Sequence, residues 1–155
     1  MKIKWKPLLI ALAIPLAAGG ASALLSGGMD TYQRLNQPPL SPPGWIFPIV
    51  WSILYLLMGY ASYRIYESEV PQEDKRKALI FYGLQLFFNF LWPLVFFGLQ
   101  WYWAAFVLLV VLWVMIYLTM HLFGSIDETS ENLLIPYLLW VTFAGYLNLG
   151  VALLN

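Results

Sequence analysis

Five apolar runs, each long enough to cross a bilayer, decide what this chain can become. A helix needs about 20 mostly apolar residues to span the hydrocarbon core, and the segments 7–26, 44–65, 78–98, 102–123 and 133–153 all reach that length. The charges gather between them: Asp30 and Arg34, then "ESEVPQEDKRK" from Glu67 to Lys77, then "DETSE" from Asp127 to Glu131. Arg64 lies near a span border, where its long stem can carry the guanidinium to the interface. Membrane barrels are built from short alternating segments, and these runs are long and unbroken. The expected fold is therefore an all-α integral membrane protein, a five-transmembrane-helix bundle formed by a single domain over 1–155. Composition agrees: with 61% hydrophobic and 10% charged residues in 155, the chain has too little interior to hide its apolar surface from water.

Charge asymmetry sets an expected orientation. Lys2, Lys4, Lys6, Arg64, Lys75, Arg76 and Lys77 fall on the side of the N-terminus and the second and fourth loops, and Arg34 alone on the other. The positive-inside rule then places the N-terminus in the cytoplasm of a bacterial cell and the first loop outside. A second reading of the N-terminus exists, because "MKIKWKPLLIALAIPLAAGGASA" has the basic start, apolar run and small-residue end of a cleavable signal peptide. Zero net charge gives no hint of nucleic acid, and the absence of cysteine removes disulfides and thiolate chemistry.

Polar and indole side chains in mid-span mark the interior. In the third span, Gln85, Asn89 and Trp92 are spaced four and three residues apart and share one helical face. Gln85 fits interhelical hydrogen bonding, whereas Asn89, with an indole beside it, is equally suited to face a ligand. In the second span Trp51 and Tyr55 head a stripe that continues through Met58 or Gly59 to Ser62. In the fifth span Pro136, Trp140, Ala144 and Asn148 recur every four residues. Trp51 and Trp140 lie too deep for the headgroup belt, and an indole N–H in hydrocarbon needs a partner, so both are expected to point inward. Two such indoles on different helices, with Asn89 and the small Ala144, suggest a mostly apolar pocket.

Trp5, Trp45, Trp101 and Trp103 lie near span ends, where the interfacial belt is the default. His121, the only histidine, has no converging ligands in the sequence around it, so no metal site is expected. No carboxylate pair, nucleophile triad or phosphate-binding loop is present, which argues against hydrolytic or metal-dependent catalysis. No ionisable residue sits in mid-span to couple an ion gradient, which argues against a transporter.

Three blocks carry a family resemblance: "PPGWIFPIVWSILYLLMGYASY", "GLQLFFNFLWPLVFFG" and "LLIPYLLWVTFAGYLN". In that order and over this length, the chain resembles the translocator protein or tryptophan-rich sensory protein family, also called TspO/MBR or peripheral benzodiazepine receptors. The resemblance implies one pocket in the bundle, capped by the first loop as a lid over 27–43. It implies tetrapyrrole ligands such as protoporphyrin IX and haem, bound as ligands with no fixed cofactor, and synthetic benzodiazepine-like molecules. It also implies a homodimer in the lipid bilayer. By the same resemblance, Trp51 and Trp140 correspond to two tryptophans needed for light- and oxygen-dependent porphyrin breakdown in some bacterial members. Asn89, Trp92, Trp103 and Ala144 match pocket positions, and Pro42, Pro43 and Trp45 keep part of the family's loop pattern.

Two positions depart from that pattern: Gln37 stands where a lysine is usual and Leu40 where a tryptophan is usual. Tyr146 lacks the following cation of the proposed cholesterol motif, so sterol specificity gains no support. The expected function is a membrane receptor or carrier that binds tetrapyrroles and planar apolar ligands and senses or regulates porphyrin levels. The alternatives are a porphyrin-degrading enzyme using Trp51 and Trp140, and a sterol or porphyrin transporter.

Overall fold

The computed structural model describes residues 2–27 and 30–155; of the expected lid over 27–43, positions 28 and 29 lie outside the described residues. The chain folds into helices α1 (Trp5–Ser26), α2 (Asp30–Arg34), α3 (Ile46–Tyr66), α4 (Gln72–Pro93), α5 (Tyr102–Gly124), α6 (Glu128–Leu133) and α7 (Ile135–Leu154). Five of the helical segments are long and apolar enough to cross a membrane. Around the bundle, α1 packs on α3 and α4, α4 on α5, and α5 on α7, and α7 closes the ring against α3. Leu9, Val107, Leu139 and Leu153 point outward and are each about 60% exposed or more. So continuous an apolar exterior is untenable in water and is the lipid face of a multi-pass membrane protein.

The helix borders differ from the apolar runs in instructive ways. α4 starts at Gln72, six residues before the apolar run at 78, because Pro71 sets the entry and the charged "QEDKRK" turn can stand in water with Glu73 and Asp74 in its first turn. At its other end Pro93 has no N–H to give to the turn before it, and the helix widens into a π-helical segment at Leu94–Gly98. The N–H of Leu99 then reaches back to the Leu94 carbonyl at 2.9 Å. The fifth span is divided, with Asp127 capping the short α6 before α7 begins beside Pro136.

Polar contacts tie each end of the bundle. At the end holding the N-terminus, Arg64 on α3 forms an ion pair with Asp127 at 2.7 Å, and Lys4 pairs with Glu67 at 3.2 Å. At the opposite end, Asn36 and Asn155 exchange hydrogen bonds, with Asn36 N–H to Asn155 Oδ1 at 3.1 Å and Asn155 Nδ2 to the Asn36 carbonyl at 2.8 Å. The two termini of the described chain therefore lie at opposite ends, as an odd number of spans requires.

Between these ends small residues let helices approach. A side chain at Gly59 would meet the α1 backbone at the Ala11 carbonyl, 2.7 Å away. In lipid, where apolar burial does not drive helix association, such close contact and interhelical hydrogen bonds hold helices together.

Candidate functional site

A cavity of about 310 Å³ opens in the half of the bundle beneath loop one. Trp51 and Tyr55 of α3, Asn89 and Trp92 of α4, and Trp140 and Ala144 of α7 all line it. These six come from separate stretches of sequence, and the ring of helices brings them to one space. Among the described residues, none of the lining side chains is charged.

Aromatic packing orders the walls. The Trp51 ring stacks on Tyr55 with centroids 5.7 Å apart and meets Tyr137 edge-on at 6.3 Å. Trp140 packs edge-on against Phe47 at 5.8 Å, and Phe47 against Tyr32 at 5.2 Å. Trp92 stacks on Phe96 at 5.1 Å, a contact made by the π-helical segment that follows Pro93.

Polar groups are few and mostly satisfied, as a low-dielectric site requires. Tyr55 Oη donates to Asn89 Oδ1 at 3.0 Å, and Asn89 Nδ2 donates to Tyr137 Oη at 2.7 Å. Tyr137 Oη donates to Gln85 Oε1 at 2.7 Å, and Gln85 Nε2 to the Tyr82 carbonyl at 2.8 Å. The Trp92 indole N–H donates to Asn148 Oδ1 at 2.9 Å, and Asn148 Nδ2 to the Tyr102 carbonyl at 2.9 Å. Two cavity-wall residues keep buried polar atoms with no hydrogen-bond partner among the described residues, the Tyr32 hydroxyl and the Trp140 indole N–H.

Loop one is strapped to α7. The Pro38 ring occupies the space that a side chain at Gly150 would need. Tyr146 Oη donates to the Pro39 carbonyl at 2.6 Å, and Ser41 Oγ closes the Pro38 turn at 2.7 Å. Gln37 spends its amide on the Tyr32 carbonyl at 2.7 Å. Leu40 sits at φ 70° and is 84% exposed, so its side chain points away from the bundle.

Four of the residues expected at the site, Trp103, Trp45, Pro42 and Pro43, are not among the cavity lining. Trp103 and Trp45 are exposed on the outside of α5 and just before α3, and Pro42 and Pro43 lie along the chain leading into α3. Several wall residues carried no signal strong enough to single them out. Gly19, Gly20 and Ala23 of α1 form a small-residue wall, and a side chain at Gly19 would strike the Tyr55 ring. Tyr32, Phe47 and Phe96 are ordinary aromatics until the fold places them. Asn148 stood on the four-residue stripe of the fifth span, and that spacing was its signal.

The sequence profile of the TspO/MBR family matches residues 11–154 of the chain. The chain belongs to the TspO/MBR family. It is 38% identical to the protein CrtK of Rhodobacter capsulatus over 89% of this chain and 86% of that protein. Against the tryptophan-rich sensory protein of Cereibacter sphaeroides it is 37% identical over 100% and 95% of the two chains. The translocator protein of Bos taurus is 35% identical to it over 93% and 87%. TspO/MBR similarity thus runs through all five apolar spans and both faces of the cavity.

Proposed function

We propose that this TspO/MBR protein is a membrane receptor or carrier that binds tetrapyrroles and related planar apolar ligands between Trp51 and Trp140. The observation that carries the reading is the meeting of these two indoles in one uncharged cavity with Asn89 at its floor. Indole faces stack on flat π-systems, and a mostly apolar cavity with a few fixed polar groups is the usual form of a small-molecule site. The strap on α7 supports loop one as the lid, since the loop is held over this half of the bundle before any ligand arrives. The single domain 1–155, a homodimeric assembly and a cytoplasmic N-terminus belong to the same reading.

Titration of the detergent-solubilised protein with protoporphyrin IX, followed by tryptophan quenching, tests it. Saturable quenching is expected in the wild type, and at least a tenfold weaker Kd in the Trp51→Phe, Trp140→Phe variant. Unchanged affinity in that variant would remove the indole site from the reading.

A second reading is light- and oxygen-dependent porphyrin breakdown at the same tryptophans. Its support is that both oxidisable indoles line the cavity and Trp51 is stacked on a tyrosine. A new absorbing product formed under light and lost in either single Trp→Phe variant would favour it over binding alone.

A further inference from the structure

The hydrogen bonds below the cavity form a chain with only one allowed direction. Its far end is the backbone carbonyl of Tyr82, which can only accept, so Gln85 must present its NH₂ group there. That turns Gln85 Oε1 toward Tyr137, whose hydroxyl must donate to it. The Tyr137 oxygen is then left to accept from Asn89, which forces the Asn89 NH₂ toward Tyr137 and its carbonyl oxygen toward Tyr55. Tyr55 in turn must donate its proton to Asn89. Each amide orientation, ordinarily ambiguous, follows from the one before it.

We propose that Gln85, which does not line the cavity, sets the hydrogen-bond polarity of its floor, so that Tyr55 accepts and the site selects planar apolar ligands bearing an N–H or O–H donor. The inference rests on the planar-ligand reading above. Tyr55 lines the cavity and is 9% exposed against 3% for Asn89, so a guest meets more of Tyr55, the residue whose hydroxyl ends the chain of hydrogen bonds. With its proton committed to Asn89, that hydroxyl offers a guest only lone pairs. A ligand donor at this place gains a hydrogen bond in low dielectric, whereas a ligand carbonyl meets an oxygen and leaves both acceptors unpaired.

Gln85 is 1% exposed and acts on a guest only through Tyr137 and Asn89, which makes it a positioning residue. Removing its amide frees Tyr137 to donate to Asn89. The Asn89 amide can then turn over, donate to Tyr55, and release the Tyr55 proton toward the cavity. Gln85→Glu keeps the original direction: as a carboxylate or as the neutral acid, its oxygen still accepts from Tyr137.

Two tricyclic probes of nearly equal shape test this, carbazole with an N–H donor and 9-fluorenone with a carbonyl acceptor. Their ability to displace protoporphyrin IX is measured in detergent, with each corrected for micelle partition. Wild type and Gln85→Glu are expected to favour carbazole by about fivefold or more, a ratio consistent with one net hydrogen bond. Gln85→Leu is expected to lose or reverse the preference while still binding protoporphyrin IX. Equal displacement by both probes in the wild type overturns the inference and leaves the binding reading standing, and so does a carbazole preference that survives in Gln85→Leu. A wild type that binds no protoporphyrin IX removes the underlying reading and this inference with it.

Discussion

The Tyr146 hydroxyl donates a 2.6 Å hydrogen bond to the Pro39 carbonyl, so the helix that carries Trp140 also holds the loop above it. Pro38 reinforces the contact by filling the notch left by Gly150. Prolines in the loop reduce the conformations available to its free state, and the α7 contacts select one of them. Wall and lid are therefore mechanically joined.

Two substitutions should loosen that joint without touching the cavity wall. Tyr146→Phe removes one hydrogen bond, a loss of about 1 kcal/mol, and Gly150→Leu drives Pro38 from its notch. Hydrogen exchange should rise at the amides of residues 40, 41, 44 and 45 in both variants, more in the second, with little change in α4 and α5. Unaltered exchange in Gly150→Leu would mean that Pro38 does not anchor the loop.

Gly19 is expected to behave as part of the binding site although it has no side chain. Any Cβ there collides with the Tyr55 ring, so Gly19→Val must push Tyr55 off Asn89 or separate α1 from α3. Overpacking of this kind costs about 1–3 kcal/mol. A lower Tm and a Kd for protoporphyrin IX weakened by about tenfold should appear together, whereas Gly83→Ala, at a position with open space away from the cavity lining, should change neither appreciably.

Acid should release the opposite end of the bundle. Hydrogen bonding to Arg64 is the largest influence on Asp127 and holds its carboxyl below the ordinary range near 3.8, assisted by the bond from Ser130. A carboxyl whose pKa is lowered by folding stabilises the fold above its unfolded value, and that contribution disappears as pH falls through the lowered one. The Tm difference between wild type and Asp127→Asn should thus be full from neutral pH down to about 5 and shrink steadily below about 4. Asparagine preserves the cap of α6, so the difference reports mainly on the ion pair. A difference that grew on acidification would contradict the assignment.

The sequence made the spans legible because apolar length alone specifies them, and helical spacing placed Asn89 and Trp92, three apart, on one face and Trp140 and Ala144, four apart, on another. Helix neighbours were harder to see. Tyr137 stands near the start of a span, where an aromatic reads as a belt residue, yet the fold makes it the central link between Gln85 and Asn89. Gly19 gains meaning only because α3 brings Tyr55 against it. Trp103 and Trp45 show the converse: they are tryptophans near the right helices whose rings face outward. Composition and spacing identify which face of a helix is special, but not the neighbour that it meets. The widening at Leu94–Gly98 follows from Pro93, but its delivery of Phe96 to the cavity depends on three-dimensional packing.

A structure determined with protoporphyrin IX bound decides whether the two indoles form the site. The macrocycle is expected in the cavity beneath loop one, in contact with Trp51 and Trp140 and with one edge toward Tyr55. Macrocycle density confined to the outer groove between α5 and α7, beside Trp113 and Gly145, with the tryptophan-lined cavity empty, would contradict it.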